Sequence, residues 1–238
     1  MTKRIEEIIK LVEPGKGVID VGTDHGYVPV ALAERGYAGG IIASDLNEAP
    51  LAAAESRAAE HGVWDKIRFF RADGLDCCGP ADVNNIICAG MGGDLICSIL
   101  DKPRWLHQKG MKLILQPMTK AEVLRYWLVN NGFGISRETV VRENGRLFHI
   151  IRADYCGVFY KLPESASCCL RLSYAELYTG PKVLLFKSQY ASSVIDSCKT
   201  LVSKRLLGAS GAENTLFTDI FNNLEEMKRE HDELQRDI

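Results

Sequence analysis

The stretch Gly17-Val18-Ile19-Asp20-Val21-Gly22-Thr23-Asp24-His25-Gly26-Tyr27-Val28-Pro29 decides the fold. Val18, Ile19 and Val21 lie in a short apolar run of the kind that makes a buried strand. Gly22 and Gly26 then bracket a turn, and Tyr27 to Arg35 reads as a helix. Pro29 fits that helix in its first turn, where a missing N–H costs nothing. A strand, a glycine turn and a helix in immediate succession make the opening of a βαβ unit.

Outward from this stretch the same grammar holds. Ahead of it, Ile5, Ile8, Ile9 and Val12 recur at helical spacing until Pro14-Gly15. Behind it, Gly40 to Ala43 reads as a second strand closed by Asp45, and Glu48 to His61 as an Ala-rich helix ended by Gly62. Ile67 to Ala72, Asn85 to Ala89 and Lys112 to Gln116 supply three more strands. Helices are expected through Leu100 and from Lys120 to Asn130. Such alternation predicts five βα units with helices on both faces of a parallel sheet. The rhythm then changes: Phe133 to Glu143 and Leu147 to Tyr155 are both strand-like, with Glu143-Asn144-Gly145-Arg146 as a hairpin turn. A parallel sheet closed by an antiparallel hairpin is the plan of class I methyltransferases, whereas a nicotinamide-binding Rossmann domain continues with a sixth parallel strand.

Beyond Gly157 the composition shifts. Pro163 to Ser167 reads as a linker, and Val183 to Leu207 and Ala212 to Arg236 as two long helices joined by Gly208-Ala209-Ser210-Gly211. We expect a sheet domain over residues 1–157 and an α-helical hairpin over 158–238. From Lys182 to Arg205 there are five basic residues and one acid; the second helix is acidic. Either the two helices attract each other or the first presents a basic stripe to RNA.

The 238 residues carry a formal net charge of −2, without the basic balance common in proteins that bind nucleic acid over a broad face, so any polyanion must be held by local patches. No apolar run approaches the length of a membrane span, and Met1-Thr2-Lys3-Arg4-Ile5-Glu6-Glu7 has no signal-peptide core; a cytoplasmic protein is expected. The eight cysteines contain no C-x-x-C pair, so they read as reduced thiols, mostly buried, and no metal site is expected.

Ligands of open α/β sheets bind at the carboxyl ends of the strands, where the chemistry-bearing residues of this chain collect. Gly22 and Gly26 permit a tight turn and close backbone approach. Asp45 can accept from two ribose hydroxyls or cap the next helix. Asp73-Gly74, after the third strand, can meet an adenine amino group or make an ordinary turn. Acids closing the first three strands favour S-adenosylmethionine (SAM) over a nicotinamide. The expected cofactor set is Asp20, Gly22, Asp24, His25, Asp45, Leu46, Asp73, Gly74, Ala89 and Gly90.

With Ala89-Gly90-Met91-Gly92-Gly93, the stretch Gly22 to Pro29 and Leu115-Gln116-Pro117, the chain resembles the TrmK family. Its pattern is close to G-[ST]-D-H-A-Y-[LV]-P, then A-G-M-G-G, then L-Q-P-N. The resemblance runs from about Lys3 to Tyr155, and the C-terminal hairpin fits the family plan. It implies a SAM-dependent methyl transfer to N1 of adenine 22 in tRNA. Two positions depart from the pattern: Gly26 stands for Ala, and Met118 for Asn, which removes a polar group near the site.

Adenine N1 attacks with an in-plane lone pair and needs no base, so the protein must align it, exclude water and tolerate a cationic product. Asp24 is the first candidate catalytic residue, through the adenine amino group or the product charge; it can equally bind the SAM ammonium or cap the helix. Tyr27 stacks on the base or packs, and His25 stacks or makes a structural hydrogen bond. Met91, Gly92, Gly93, Gln116 and Pro117 are the expected walls of the base slot, with a flexible turn as the alternative for the glycines. A basic stretch of Lys102, Arg104, Lys109, Lys112, Lys120 and Arg125 supplies candidates for RNA phosphates, Arg104 and Lys109 foremost. Another RNA position, a small-molecule acceptor, or a non-catalytic SAM-binding RNA-associated protein stand as alternatives.

Overall fold

The computed structural model describes residues 1–157 and 172–236. The expected linker at Pro163 to Ser167 and the pair Cys168-Cys169 lie outside them. Among the described residues seven strands form one sheet: β1 (Gly17–Val21), β2 (Gly40–Asp45), β3 (Ile67–Arg71), β4 (Asn85–Gly92), β5 (Lys112–Thr119), β6 (Phe133–Glu143) and β7 (Arg146–Tyr155). Their order is β3-β2-β1-β4-β5-β7-β6. The first five are parallel; β7 runs antiparallel between β5 and β6. The Asn144-Gly145 turn is where the sequence places it, with both residues at positive φ (50° and 77°), the geometry a two-residue hairpin turn favours.

Successive side chains of a strand point to opposite faces, and the core divides accordingly. Ile19, Val21, Ile86, Cys88, Leu113 and Leu115 face one side, under α4 (Gly93–Asp101) and α5 (Ala121–Asn130). Val18, Ile41, Ala43, Ile87 and Ile114 face the other, under α1 (Lys3–Leu11), α2 (Tyr27–Glu34) and α3 (Glu48–Glu60). The expected count of five βα units is corrected to four. Residues 72–84, between β3 and β4, form turns without a helix, and this stretch carries Gly74, Gly79 and Pro80.

Residues 172–236 hold four helices: α6 (Tyr174–Thr179), α7 (Lys182–Leu185), α8 (Ala191–Gly208) and α9 (Ala212–Arg236). The long helix expected from Val183 is therefore broken, and α6 was not anticipated. Gly180, at φ 89°, and Pro181 separate α6 from α7, as a left-handed glycine followed by proline does at helix ends. Ser173 opens α6 with a reciprocal capping box to Glu176. Val194, Ile195, Val202, Ile220 and Leu224 make the core of this part.

Its basic residues are largely spent internally. Lys182 and Lys199 pair with Glu230 and Glu225 of α9, and Arg205 donates to Glu122 of α5 at 2.6 Å. Of the two readings of the charge asymmetry, mutual attraction is the one these contacts favour. Arg125 is likewise not available to RNA: it is fully buried, with Glu138 on its fork and the carbonyls of Leu177 and Tyr178 at 2.6 and 3.0 Å. Nothing in the sequence near Arg125 signals this, because its partners come from β6 and α6.

Candidate active site

Gly22, Asp24 and Gly26 have φ of 66°, 52° and 69°, so three of five consecutive residues are left-handed. This is an unusual conformation for Asp24, and such strain clusters at functional sites. The turn is held to its neighbour by Thr23 N–H donating to the Ser44 carbonyl at 2.9 Å and Asp24 N–H donating to Asp45 Oδ2 at 3.4 Å. Any Cβ at Gly22 would collide with Met91 Cε, and one at Gly26 would lie 2.9 Å from Ala54 Cβ. Gly26, where the family pattern has Ala, thus lets α3 approach the turn.

Asp20 lies beneath the turn, buried, with its Oδ2 accepting from Thr23 Oγ1 at 2.8 Å. Burial pushes its carboxyl up to about 7 against that hydrogen bond, and the neighbouring Asp45 charge adds to the shift. On one side, Asp45 accepts from Asn47 N–H at 2.9 Å as well as from Asp24. The residue at the helix N-cap position is Asn47, so Asp45 is not the cap. Leu46 beside it is an exposed apolar side chain. Gly74 is left-handed and its carbonyl accepts from Ser44 Oγ at 3.4 Å. Asp73 is exposed and pairs with Lys102 at 2.5 Å.

On the other side, β4 continues through Met91 and Gly92, paired with Pro117 and Thr119 of β5. The glycine run is not uniform. A Cβ at Gly93 would strike the Lys120 carbonyl, so Gly93 serves packing, whereas nothing lies within 4 Å of a Cβ at Gly90, whose φ is 78°. Gln116 is fully buried; its Oε1 accepts from Gly90 N–H at 3.2 Å and its Nε2 donates to the Pro117 carbonyl at 2.9 Å. Gln116 thereby holds the open glycine in place.

Between the two sides lies a cleft of about 130 Å³ whose walls include Arg4, Asp20, Asp24, Tyr27, Gly90 and Gln116. Tyr27 is exposed, with the Arg57 guanidinium 4.0 Å from its ring centroid; the same arginine donates to the His25 carbonyl at 2.8 Å. The His25 ring lies edge-on to Tyr27, and its Nε2 is 3.7 Å from Asp24 Oδ1. Arg104 and Lys109 are not brought to the cleft. They belong to the connection from α4 to the N-terminal end of β5, while Gly22, Gly90 and Gln116 lie at C-terminal ends. Lys112, at the start of β5, pairs with Glu13 at 3.3 Å, and Lys120 pairs with Asp94. Arg4 is the charged wall residue that reading the sequence missed, along with Ile5, Ile8, Thr23 and Val28. The helix of Arg4 shows only an apolar period, and the arginine's contacts are with residues more than a hundred positions away.

A β3-β2-β1-β4-β5-β7-β6 sheet with acids and glycine turns at the carboxyl ends of its first strands defines a class I SAM-dependent methyltransferase. The family model described as "Methyltransferase domain" matches residues 1–151. The tRNA (adenine(22)-N(1))-methyltransferase of Bacillus subtilis is 28% identical over 154 residues, covering 65% of this chain and 65% of that protein. A Streptococcus pneumoniae protein crystallised with SAM superposes with a TM-score of 0.77 at 28% identity, covering 96% of this chain and 99% of the other. Mycoplasma capricolum TrmK, solved with S-adenosyl-homocysteine, shares the fold with a TM-score of 0.74 at 21% identity, covering 98% of each chain. The chain belongs to the TrmK family.

Proposed function

We propose that this protein transfers the methyl group of SAM to N1 of an adenine in tRNA, position 22 by its family, and that it does so in the cytoplasm. The observation that carries this reading is the convergence of three separate motifs on one cleft: the Gly22–Gly26 turn, Gly90 of the glycine run, and Gln116. The residues fit the cofactor. Gly22 gives the turn a left-handed residue at φ 66°, Asp45 has lone pairs beyond the two N–H groups it accepts, and Leu46 offers an apolar wall. Asp45 then takes the ribose hydroxyls, Asp73-Gly74 the adenine, and Asp20, with Asp24, the ammonium end.

When bound, SAM supplies an electrophilic methyl on a sulfonium. The chain supplies alignment. The open backbone at Gly90, pinned by Gln116, and the Tyr27 ring hold the target base so that its N1 lone pair points into the cleft. Asp24, exposed at the rim, faces the cation that forms on the base. The base must leave its stack to reach them, at a cost of a few kcal/mol. Residues 1–157 carry these steps, and the helices within 158–238 form a second domain beside them.

Met118, with its sulfur where the family pattern has an amide, favours a second reading: a methyltransferase of this family with a different RNA acceptor. Purified protein, labelled SAM and unmodified transcripts decide between them. Methylation at N1 of a transcript with adenine 22, and none of its guanine counterpart, is the expected result. Transfer mapped to another base would replace the first reading with the second, and SAM binding without transfer would refute both.

A further inference from the structure

Arg4 stands out among the partly buried cations. Its side chain is 26% exposed, yet no hydrogen bond or ion pair it makes is shorter than 3.3 Å. Nη1 reaches the Gln116 Oε1 at 3.4 Å and the Met118 sulfur at 3.3 Å; Nε lies 3.6 Å from Glu143 Oε2; Nη2 has no hydrogen-bond partner among the described residues. Glu143 does not close the site either, since its Oε1 is buried with no donor. One face of the guanidinium is fixed by the Phe148 ring, 4.9 Å from its centroid. An arginine with five donors, held in place but nearly unspent, is a group prepared for an acceptor outside the chain.

We propose that Arg4 binds a phosphate of the nucleotide whose base enters the cleft; this rests on the function proposed above. Arg4 lines the same cleft as Asp24, Tyr27 and Gly90. A bare guanidinium there opposes positive charge on the base, and methylation of N1 creates that charge. A phosphodiester on Arg4 removes the conflict and leaves the field of Asp24 to act. The planar fork matches two non-bridging oxygens, which an ammonium would meet only as a point charge. Among the described residues Arg4 is the one cation in the cleft wall, and two others on adjoining elements are engaged: Arg57 with the Tyr27 ring and the His25 carbonyl, Lys120 with Asp94. In a chain of net charge −2, a polyanion is held by cations placed one at a time.

The test uses the full chain and full-length tRNA, with R4Q and R4K. In R4Q the tRNA Kd should rise about tenfold, the slope of log K against log salt should fall by about 1, and the SAM Kd should stay within twofold. R4K should recover part of the salt slope and less of the affinity. A tRNA ligated with a neutral methylphosphonate next to adenine 22 should weaken wild-type binding as R4Q does and cost R4Q nothing more. An unchanged salt slope in R4Q, or a methylphosphonate penalty equal in both proteins, would overturn the assignment and leave Arg4 as a prop for Gln116. Because binding is read without turnover, the two proposals fail separately. An Arg4-dependent slope without methyl transfer upholds this site and sinks the reaction; transfer by R4Q at the wild-type kcat/KM does the reverse.

Discussion

Arg125 and Arg4 are both enclosed by this fold, and their surroundings differ in kind. Arg125 is fully buried, gripped by both oxygens of Glu138 and by two carbonyls of α6, with His149 Nδ1 2.9 Å away. Arg4, three-quarters buried, meets one amide oxygen, one sulfur and a carboxylate, all at 3.3 Å or more. A polar cluster whose donors and acceptors are matched within the chain has nothing left to offer a ligand and instead fixes how elements meet. The Arg125 cluster joins α5, β6 and β7 to α6. The cleft is the opposite case: left-handed residues, a raised carboxyl on Asp20 and unspent donors on Arg4 are tolerated there because a ligand completes them.

The largest effect belongs to the closed cluster. Arg125→Met leaves the Glu138 charge buried without its partner, which should destabilise the protein by about 3–5 kcal/mol in urea unfolding. The fraction that folds should bind SAM as the wild type does. The cluster also sets an acid limit. Burial works against the Glu138 charge, but Arg125 and His149 hold its carboxyl down at about 2, below its ordinary 4.5. Its contribution is therefore complete above pH 4.5 and is lost as pH falls towards 2. Burial, with Arg125 beside it, pushes His149 below 6.5, so the unfolded chain takes a proton first and stability starts to fall below that pH. A SAM affinity that collapsed in Arg125→Met protein shown to be folded would erase the distinction between the two regions.

Next in size is Gly22→Ala in the cleft. The residue has φ 66°, and its new Cβ would strike Met91 Cε. Left-handed strain costs about 1–2 kcal/mol and the collision adds to it. SAM affinity by calorimetry should drop at least 100-fold, with the melting temperature lowered by only a few degrees. Normal SAM binding would show that the turn is not the cofactor's cradle.

These two positions also mark what could be read from residues alone. Gly22 and Gly26 are legible as a turn at the carboxyl end of a strand, and it is the acids closing the first three strands that make the turn read as a cofactor site. Asn144-Gly145 is legible too, and it fixed the antiparallel end of the sheet and with it the class. Arg125 read as a surface cation because its partners, Glu138 and the Leu177 carbonyl, are brought to it only by packing. Adjacency in sequence also hides which end of a strand a loop serves, so nothing in the residues showed that Arg104 and Lys109 lie away from the cleft. The boundary between α6 and α7 was legible at Gly180-Pro181; the break between α7 and α8, at Phe186 to Tyr190, has no glycine or proline to announce it.

A smaller effect concerns Asp20. With its carboxyl near 7, the site free of ligand is about half protonated at neutral pH. A folded value above the ordinary 3.8 means that this group favours the folded state at low pH and loses that advantage as pH rises through about 7. If the SAM ammonium lies against it, binding requires the ionised form, and affinity should weaken as pH drops from 8 to 6, approaching tenfold per unit at the acid end. Asp20→Asn should bind more weakly and lose most of that dependence. A pH profile identical in both proteins would place the ammonium elsewhere.

The smallest change expected converts the open site towards the closed kind. Met118→Asn puts an amide where a thioether now meets Arg4 Nη1 at 3.3 Å and Gln116 Nε2 at 3.6 Å. A carbonyl oxygen accepts from both better than sulfur does, and one such bond is worth about 0.5–1.5 kcal/mol. The melting temperature should rise by a few degrees. An arginine better satisfied by its own chain has less to gain from a phosphate, so tRNA affinity should fall two- to fivefold at low salt while the SAM Kd stays constant. If Met118→Asn instead tightens tRNA binding, the amide serves the RNA directly, and Met118 is a loss that this chain's Arg4 does not offset.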